Sequence, residues 1–531
     1  MPVRHGKRYY KQMALEVAVR NPERYEDILR VFKKFEGKVL NDSTILDMYV
    51  ALYMDGALDA NDLPDNYNEA DLKEYIINNK SHNNEWGFPT GYQAAFVRYC
   101  KTLSEFGFIY SQYNEELKIS EVSKKLLNGT ITLSEAFAVQ SLRFWRMSPY
   151  RRVLNDYNYF EFIYKALIKR DEQGHKISYP QLMYSLFSDD GNVDEYINTL
   201  DNNKIGSDLE KAYDLVLSNY KGKSELHQEP SKLQTAFRDY GNTVFRVLQL
   251  TGFINVDYSG VILLSINKNR LPFLNDLLKY NFRITESAKE DYLEYFNLLG
   301  SFSNDLENCV LSHREAENYS TLNYNAKIPH IIDAYGLTKE SVAEYLSIVS
   351  SKGKEGGRPF WFIQAPIKFE FLLTLYAYLC FGDSFEYEPN YKCDDNGIPY
   401  SHAPGNIGDI EVYNNSKYWL IEATLITSKQ QQSNYETVNL FRHINEKASG
   451  VKYLSLIAPK IHDDTSMILR ASTLISMVEN NEIGFYSQPQ TTEDFIQKCN
   501  DDIFGSIESY SKVFIKKIKE FLDSNDKFLF L

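Results

Sequence analysis

Two acidic residues stand at the open end of one short candidate hairpin. Gly408-Asp409-Ile410-Glu411-Val412-Tyr413 is followed by Asn414-Asn415-Ser416-Lys417, and then by Tyr418-Trp419-Leu420-Ile421-Glu422-Ala423-Thr424-Leu425. Two β-prone runs around an Asn/Ser turn predict an antiparallel pair of strands. Antiparallel pairing sets Asp409, at the start of the first strand, beside Glu422, near the end of the second. Carboxylates next to Trp419, Leu420 and Ile421 are costly to desolvate unless something compensates their charge. A divalent cation does so, and hard oxygen ligands suit Mg²⁺. A surface hairpin with its acids facing water has the same spacing. Glu411 lies on the same strand face as Asp409 by two-residue alternation and competes for the same role.

The elements that would position this pair follow from the flanking sequence. Downstream, Gln430 to His443 reads as a helix on which Gln432, Glu436, Asn439 and His443 share one polar face. Upstream, Pro366 opens an apolar helix in which Glu370 stands alone between Phe369 and Phe371. A lone acid in such a helix usually has a partner or a task. Phe385 to Glu388 and Lys452 to Ala458 read as further strands. The order is helix, strand, hairpin, helix, strand. This mixed α/β arrangement, with acids at strand ends, resembles the PD-(D/E)XK nuclease fold.

The resemblance extends to motifs. Ser401-His402-Ala403-Pro404-Gly405-Asn406, Asp409-Ile410-Glu411, Glu422-Ala423-Thr424, Gln431 or Gln432, Glu436 and Arg442-His443 together are similar to the signature of the AlwI family of type IIS restriction and site-specific nicking endonucleases. The likeness covers roughly residues 360 to 460. It implies catalytic roles for Glu370, Asp409, Glu422, Glu436 and His443. It also implies a Mg²⁺ held by Asp409, Glu422 and the carbonyl of Ala423, with Glu370 as a further metal ligand. His443 would orient a phosphate or relay a proton, with Glu436 as its partner. The chain departs from the broader nuclease pattern at two positions. Gly408 stands where a Pro precedes the Asp, and Thr424 stands where a Lys is common, so the general base is open and water itself is a candidate.

Composition sets the limits around this site. The chain has 531 residues, 43% hydrophobic and 24% charged, enough for several domains with ample cores. Its formal net charge is −14, which argues against a basic nucleic-acid-coating protein but not against local basic patches. Cys100, Cys309, Cys380, Cys393 and Cys499 show no paired spacing for zinc or a disulfide framework, as expected in a reducing cytoplasm. The first residues lack a secretory h-region, and the longest apolar run, Phe369 to Phe381, is too short to span a bilayer.

The N-terminal half carries a repeat. A helix over Tyr92 to Phe106, bearing Arg98 and Lys101, runs into Gly107-Phe108-Ile109, Tyr113 and Leu117-Lys118-Ile119-Ser120. A second copy, Gly252-Phe253-Ile254, Tyr258 and Ile262-Leu263-Leu264-Ser265, lies at a constant offset of 145 (252 − 107). Helix followed by hairpin is the end of a winged-helix unit, in which a helix enters the major groove and the wing touches the backbone. Between the copies, Arg143-Phe144-Trp145-Arg146-Met147-Ser148-Pro149-Tyr150-Arg151-Arg152 interleaves Arg with aromatics, a composition suited to phosphate or guanine contact. The alternative is a cation–π-laced helix end that packs on the next domain. Residues 61–85, rich in Asn and Asp, read as an irregular connection.

The expected architecture is multidomain α+β: an N-terminal winged-helix-like DNA-recognition region (1–165 and 166–275), a helical linker (276–350) and a C-terminal PD-(D/E)XK α/β nuclease domain (351–531). Recognition held apart from cleavage suits a type IIS enzyme, which cuts at a fixed distance outside an asymmetric site. The expected DNA contacts come from Arg98, Lys101, Arg143, Arg146, Arg151 and Arg152. The expected partners are double-stranded DNA, a second copy associating transiently or a small partner subunit for the second strand, and a cognate DNA methyltransferase. Alternatives are a strand-specific nicking subunit of a heterodimer, a repair or transposition nuclease, and a non-cutting regulator.

Overall fold

The computed structural model describes all residues except 1–7, 59–66, 79–80, 83, 152, 220–234, 318–323, 352–359, 403–406, 428, 430–431, 433–436, 447–450 and 525–531. The chain divides into two compact units, Met1–Ser320 and Thr321–Leu531. The division falls within the stretch read above as a linker. Among the described residues, no helix is long and apolar enough to cross a membrane.

The first unit contains one pattern of helices and hairpin twice, with a further helix (Glu69–Asn78) interposed in the first occurrence and two (Val193–Asn203 and Leu209–Asn219) in the second. In the first occurrence, helix α1 (Arg24–Lys33) leads through an extended segment to α2 (Asp42–Met54) and later α3 (Tyr92–Glu105), followed by the hairpin β1 (Ile109–Tyr110) and β2 (Lys118–Ile119). The extended segment lies against the hairpin's second arm: Gly37 N–H donates to Leu117 O (2.9 Å), and Leu117 N–H donates to Lys38 O (3.0 Å). In the second occurrence, α4 (Tyr159–Glu172), β3 (Ile177–Ser178), α5 (Tyr179–Ser185) and α6 (Gly241–Leu250) precede β4 (Ile254–Tyr258) and β5 (Ile262–Ile266). Here β3 pairs antiparallel with β5, with Ile177 opposite Leu264. Gly107 (φ +71°) and Gly252 (φ +69°) follow the last helix of each occurrence in the same left-handed conformation. A side chain is strained there, which is why both copies carry Gly.

Sequence and local structure agree at the helix starts. Asn41 caps α2 by accepting from Thr44 N–H (3.0 Å), and Ser178 and Gln181 close a capping box on α5. The Asn/Asp-rich stretch at 61–85 is not simply irregular. It contains a helix, Glu69–Asn78, that buries Leu72 and Ile76, so two apolar side chains one turn apart outweigh the polar composition.

In the second unit, helix α7 (Ala365–Phe381) precedes strands β6 (Glu386–Pro389), β7 (Lys392–Cys393), β8 (Pro399–Ser401), β9 (Ile410–Tyr413) and β10 (Lys417–Ala423). Helix α8 (Thr437–Asn445), β11 (Val451–Ala458), α9 (Asp463–Asn480), β12 (Tyr486–Thr491) and α10 (Ile503–Ser524) follow. Five strands form one mixed sheet in the order β12-β11-β10-β9-β6, and β7 with β8 forms a separate ribbon. Strands β10, β11 and β12 run parallel, while β9 is antiparallel to both β10 and β6. One sheet face presents Leu420, Leu454 and Leu456 to Leu440 and Ile444 of α8, Leu469 of α9 and Phe485. The other carries the fully buried Trp419, whose ring lies 5.5 Å from that of Phe504 on α10 and 6.1 Å from that of Phe381 on α7. Helix α7 is buried continuously from Ile367 to Ala377, so its apolar run is a core helix, as the sequence indicated.

Candidate active site

The hairpin forms in the expected register. Ile410 lies opposite Ile421 and Leu420 opposite Glu411, so extending the ladder by one residue sets Asp409 opposite Glu422 on one face. Asn414 fixes the turn, its Oδ1 accepting from Ser416 N–H (3.0 Å) and Lys417 N–H (2.9 Å). At the other end, Ala423 N–H donates to Asp409 Oδ2 (2.8 Å), tying the carboxylate to the last residue of β10. Glu422 is buried, and His443 Nδ1 on α8 lies 2.9 Å from its Oε1. Glu370 reaches the same region from α7. It is 5% exposed, its Oε1 lies 3.5 Å from His402 Nδ1, and its Oε2 has no hydrogen-bond partner among the described residues.

The electrostatics are those of crowded negative charge. Burial pushes the Asp409 carboxyl well above the usual range, and the nearby Glu422 and Glu370 carboxylates push it further. The Ala423 N–H opposes this without cancelling it. Among the described residues, no three His, Cys, Asp or Glu side chains are grouped so as to hold a metal ion by themselves. The carboxylates of Asp409 and Glu422 stand together, with that of Glu370 close enough to act on Asp409. A divalent cation fits this set, because it relieves the charge that raises Asp409 and supplies a partner for the orphaned oxygen of Glu370.

Glu411, the competing ligand, is held elsewhere. Its Oε2 accepts from Tyr418 O–H (2.8 Å) and its Oε1 lies 3.4 Å from Asn390 Nδ2. Gly408 has a steric reason for lacking a side chain. A Cβ there would lie 2.4 Å from Leu420 Cδ1 and 3.1 Å from Glu422 Oε1, so a side chain in this backbone position would have to displace the Leu420 side chain and crowd the Glu422 carboxylate. Thr424, in the Lys position, is buried, and its N–H donates to Ile457 O (3.0 Å). Glu436 lies outside the described residues. Gln432 joins segments below the site, donating to Ile426 O (3.2 Å) and Lys460 O (2.9 Å).

The basic residues singled out in the first unit are mostly occupied internally. Arg146 is 1% exposed and donates to Tyr157 Oη (2.8 Å), Ser188 O (3.0 Å) and Lys11 O. Arg151 makes a two-pronged contact with buried Glu105, 2.7 Å on each side. Arg143 donates to Leu299 O (2.7 Å) and Ser301 O, with its guanidinium 4.8 Å from the Phe282 ring centroid. Lys101 pairs with Glu85 (2.9 Å) and Glu16 (3.1 Å). The donors of Arg146 are turned inward and serve packing. Arg98 is exposed, and Arg152 lies outside the described residues.

The sequence profile of the AlwI restriction endonuclease family matches residues 104–354 and 360–497. The match covers most of the chain and includes residues of both units. Among solved structures, the small subunit of the heterodimeric restriction endonuclease R.BspD6I is similar at 20% identity and a TM-score of 0.25, covering 33% of this chain and 87% of that one. No curated protein matches. On the strength of the family match, the chain belongs to the AlwI restriction endonuclease family and is a site-specific DNA hydrolase.

Proposed function

We propose that this chain is a type IIS restriction endonuclease, binding a short asymmetric DNA sequence through its first unit and hydrolysing phosphodiester bonds at a fixed distance with its second. The observation that carries the catalytic assignment is the pairing of Asp409 with Glu422 across the hairpin, with Asp409 tied to Ala423. The second unit is a PD-(D/E)XK domain in this reading. Its support is a mixed sheet whose acids gather at the carboxyl end of β10, on the side from which α7 delivers Glu370.

Asp409, Glu422 and the Ala423 carbonyl would hold Mg²⁺, and Glu370 would bind directly or through water. When bound, the ion supplies Lewis-acid stabilisation of the charge developing on the phosphate and favours ionisation of a water. The protein's part is orientation. Ala423 N–H fixes the Asp409 rotamer, and His443 fixes Glu422. Thr424 offers no basic group, so the proton leaves to water or to a phosphate-facing group rather than to a Lys.

For recognition, the recurring helix, extended segment or strand, helices and hairpin support two winged-helix-like modules, read from the sequence as 1–165 and 166–275, with α4 of the second crossing that boundary. The hairpin's second arm accepts the earlier strand in both, which is the connectivity of winged-helix folds. A DNA substrate and a cognate methyltransferase are those of a cytoplasmic system. The test is to map cleaved ends on plasmid DNA alongside the Asp409→Ala and Glu422→Ala variants. Ends at one offset outside an asymmetric sequence, lost in both variants while site-specific binding persists, are expected. Cuts within a symmetric sequence, or wild-type cutting by both variants, would overturn the reading.

A further inference from the structure

Asp409 stands between residues 403–406 and the first residue of β9, outside any assigned strand. The groups that hold its main chain are therefore important. Pro389 lies opposite Ile410, so the next residue along β6, Asn390, lies opposite Asp409. Asn390 N–H donates to Asp409 O (2.9 Å), and its side-chain Nδ2 donates to Gly408 O (2.5 Å). The same amide nitrogen lies 3.4 Å from Glu411 Oε1, while Tyr418 O–H takes Glu411 Oε2 at 2.8 Å. One amide thus grips the peptide before Asp409 and one oxygen of Glu411.

We propose that Asn390 is a positioning residue that decides which carboxylate of β9 serves the site, presenting Asp409 and retaining Glu411. This rests on the metal-site reading given above. The argument is geometric. Asp409 and Glu411 are two residues apart and point to one face. Asp409 stands opposite Glu422 and Glu411 stands opposite Leu420, diagonal to Glu422, so the longer Glu411 side chain can reach toward Glu422 by a change of rotamer unless it is held back. Backbone hydrogen bonding continues the β6–β9 ladder as far as Asp409 O, but nothing in a ladder constrains the preceding carbonyl. The side chain of Asn390 supplies that constraint. Its amide can serve both acceptors because it has two hydrogens. Aspartate in its place has the same shape with no donor, and it sets a negative oxygen against Gly408 O and Glu411.

The experiment measures Mn²⁺ binding to the full chain without DNA, by loss of the free-ion electron paramagnetic resonance signal, together with DNA cleavage. The proteins compared are wild type, Asn390→Asp, Asn390→Ala, Glu411→Gln and Asp409→Ala. Asn390→Asp and Asn390→Ala are expected to weaken Mn²⁺ binding by about tenfold or more, the usual consequence of removing a group that orients a ligand. Cleavage should recover partially at high metal concentration, and recognition-site binding should be unchanged. Glu411→Gln should bind Mn²⁺ within about twofold of wild type, since an amide oxygen still accepts from Asn390 and the residue is not a ligand. Wild-type Mn²⁺ affinity in both Asn390 variants overturns the proposal. So does a Glu411→Gln loss as large as that of Asp409→Ala, which makes Glu411 the ligand. If Asn390→Ala fails to fold, the isosteric Asn390→Asp decides. Undiminished Mn²⁺ binding by Asp409→Ala overturns the metal-site reading itself, a result distinct from either of these.

Discussion

Asp409→Asn separates charge from shape at the centre of the site. The introduced amide oxygen can still accept from Ala423 N–H, and the new N–H₂ can donate to the carboxylates that crowd Asp409 in the wild type. The sign of the effect follows from the raised Asp409 pKa. In the folded chain the carboxyl keeps its proton to a higher pH than in the unfolded chain, where it ionises near the ordinary aspartate value of about 4. Between those two values the folded state binds more protons, so stability falls as pH rises through the folded pKa. The substitution, which has no proton to lose, removes that decline. In chelator at pH 8 the variant should therefore melt above wild type, and the two should converge toward pH 4. If Asp409 is a Mg²⁺ ligand as proposed, Mg²⁺ should reverse the order. At 100 times its dissociation constant, a ligand that binds only the folded state adds about 2.7 kcal/mol. The second unit runs from Thr321 to Leu531. For that size, about 2–4 °C per kcal/mol gives a rise of roughly 5–11 °C in wild type and little in the variant. Differential scanning calorimetry at pH 5 and 8, with chelator or Mg²⁺, reads all four numbers. A variant that melts below wild type in chelator at pH 8, or that keeps the full Mg²⁺ shift, refutes the reasoning.

Other substitutions separate catalysis from architecture. His443→Ala removes a contact to a buried carboxylate, worth about 1.5–3 kcal/mol for a charged partner, so kcat/KM should fall roughly 10- to 150-fold while gel-shift affinity for the recognition site holds. Arg146→Ala empties the space of a guanidinium that is 1% exposed and removes its hydrogen bonds to Tyr157 Oη, Ser188 O and Lys11 O, and should cost about 3 kcal/mol or more in chemical denaturation. The salt dependence of DNA binding, measured where the variant is folded, should not change, because the buried Arg146 guanidinium spends its donors within the first unit. The sequence holds no second D…E-x-T motif beside Asp409 and Glu422-Ala423-Thr424, so each copy should hydrolyse one strand per engagement. Time courses of supercoiled plasmid should show nicked circles before linear product, with linearisation accelerating as enzyme exceeds sites. Linear product without a nicked precursor, at a rate independent of that excess, removes the sequential scheme.

What could be read from the sequence was what local pattern determines. The 408–425 hairpin was legible because two-residue alternation and an Asn-rich turn leave one register that buries Trp419 and brings Asp409 to Glu422. The repeat was legible because Gly107 and Gly252 mark helix ends whose conformation admits few other residues. The Arg143–Arg152 segment shows the opposite case. Its interleaved Arg and aromatic residues match a DNA surface in composition, but the partners that claim them, Lys11, Glu105, Ser188 and Leu299, lie far along the chain. A guanidinium has the same appearance in sequence whether it meets a phosphate or a buried carbonyl, and only long-range packing decides between them. Gly408 and Asn390 belong to the same class. A motif can record that a Pro is missing, but not that the Leu420 side chain occupies the space a Cβ would need. Nothing in the composition of a strand end at residue 390 points to a carbonyl 18 residues later. The acids of this site therefore follow from pattern, whereas the groups that aim them follow from tertiary geometry. Variation at Asn390, Gly408 and Tyr418 should accordingly tune the site without altering its acidic signature.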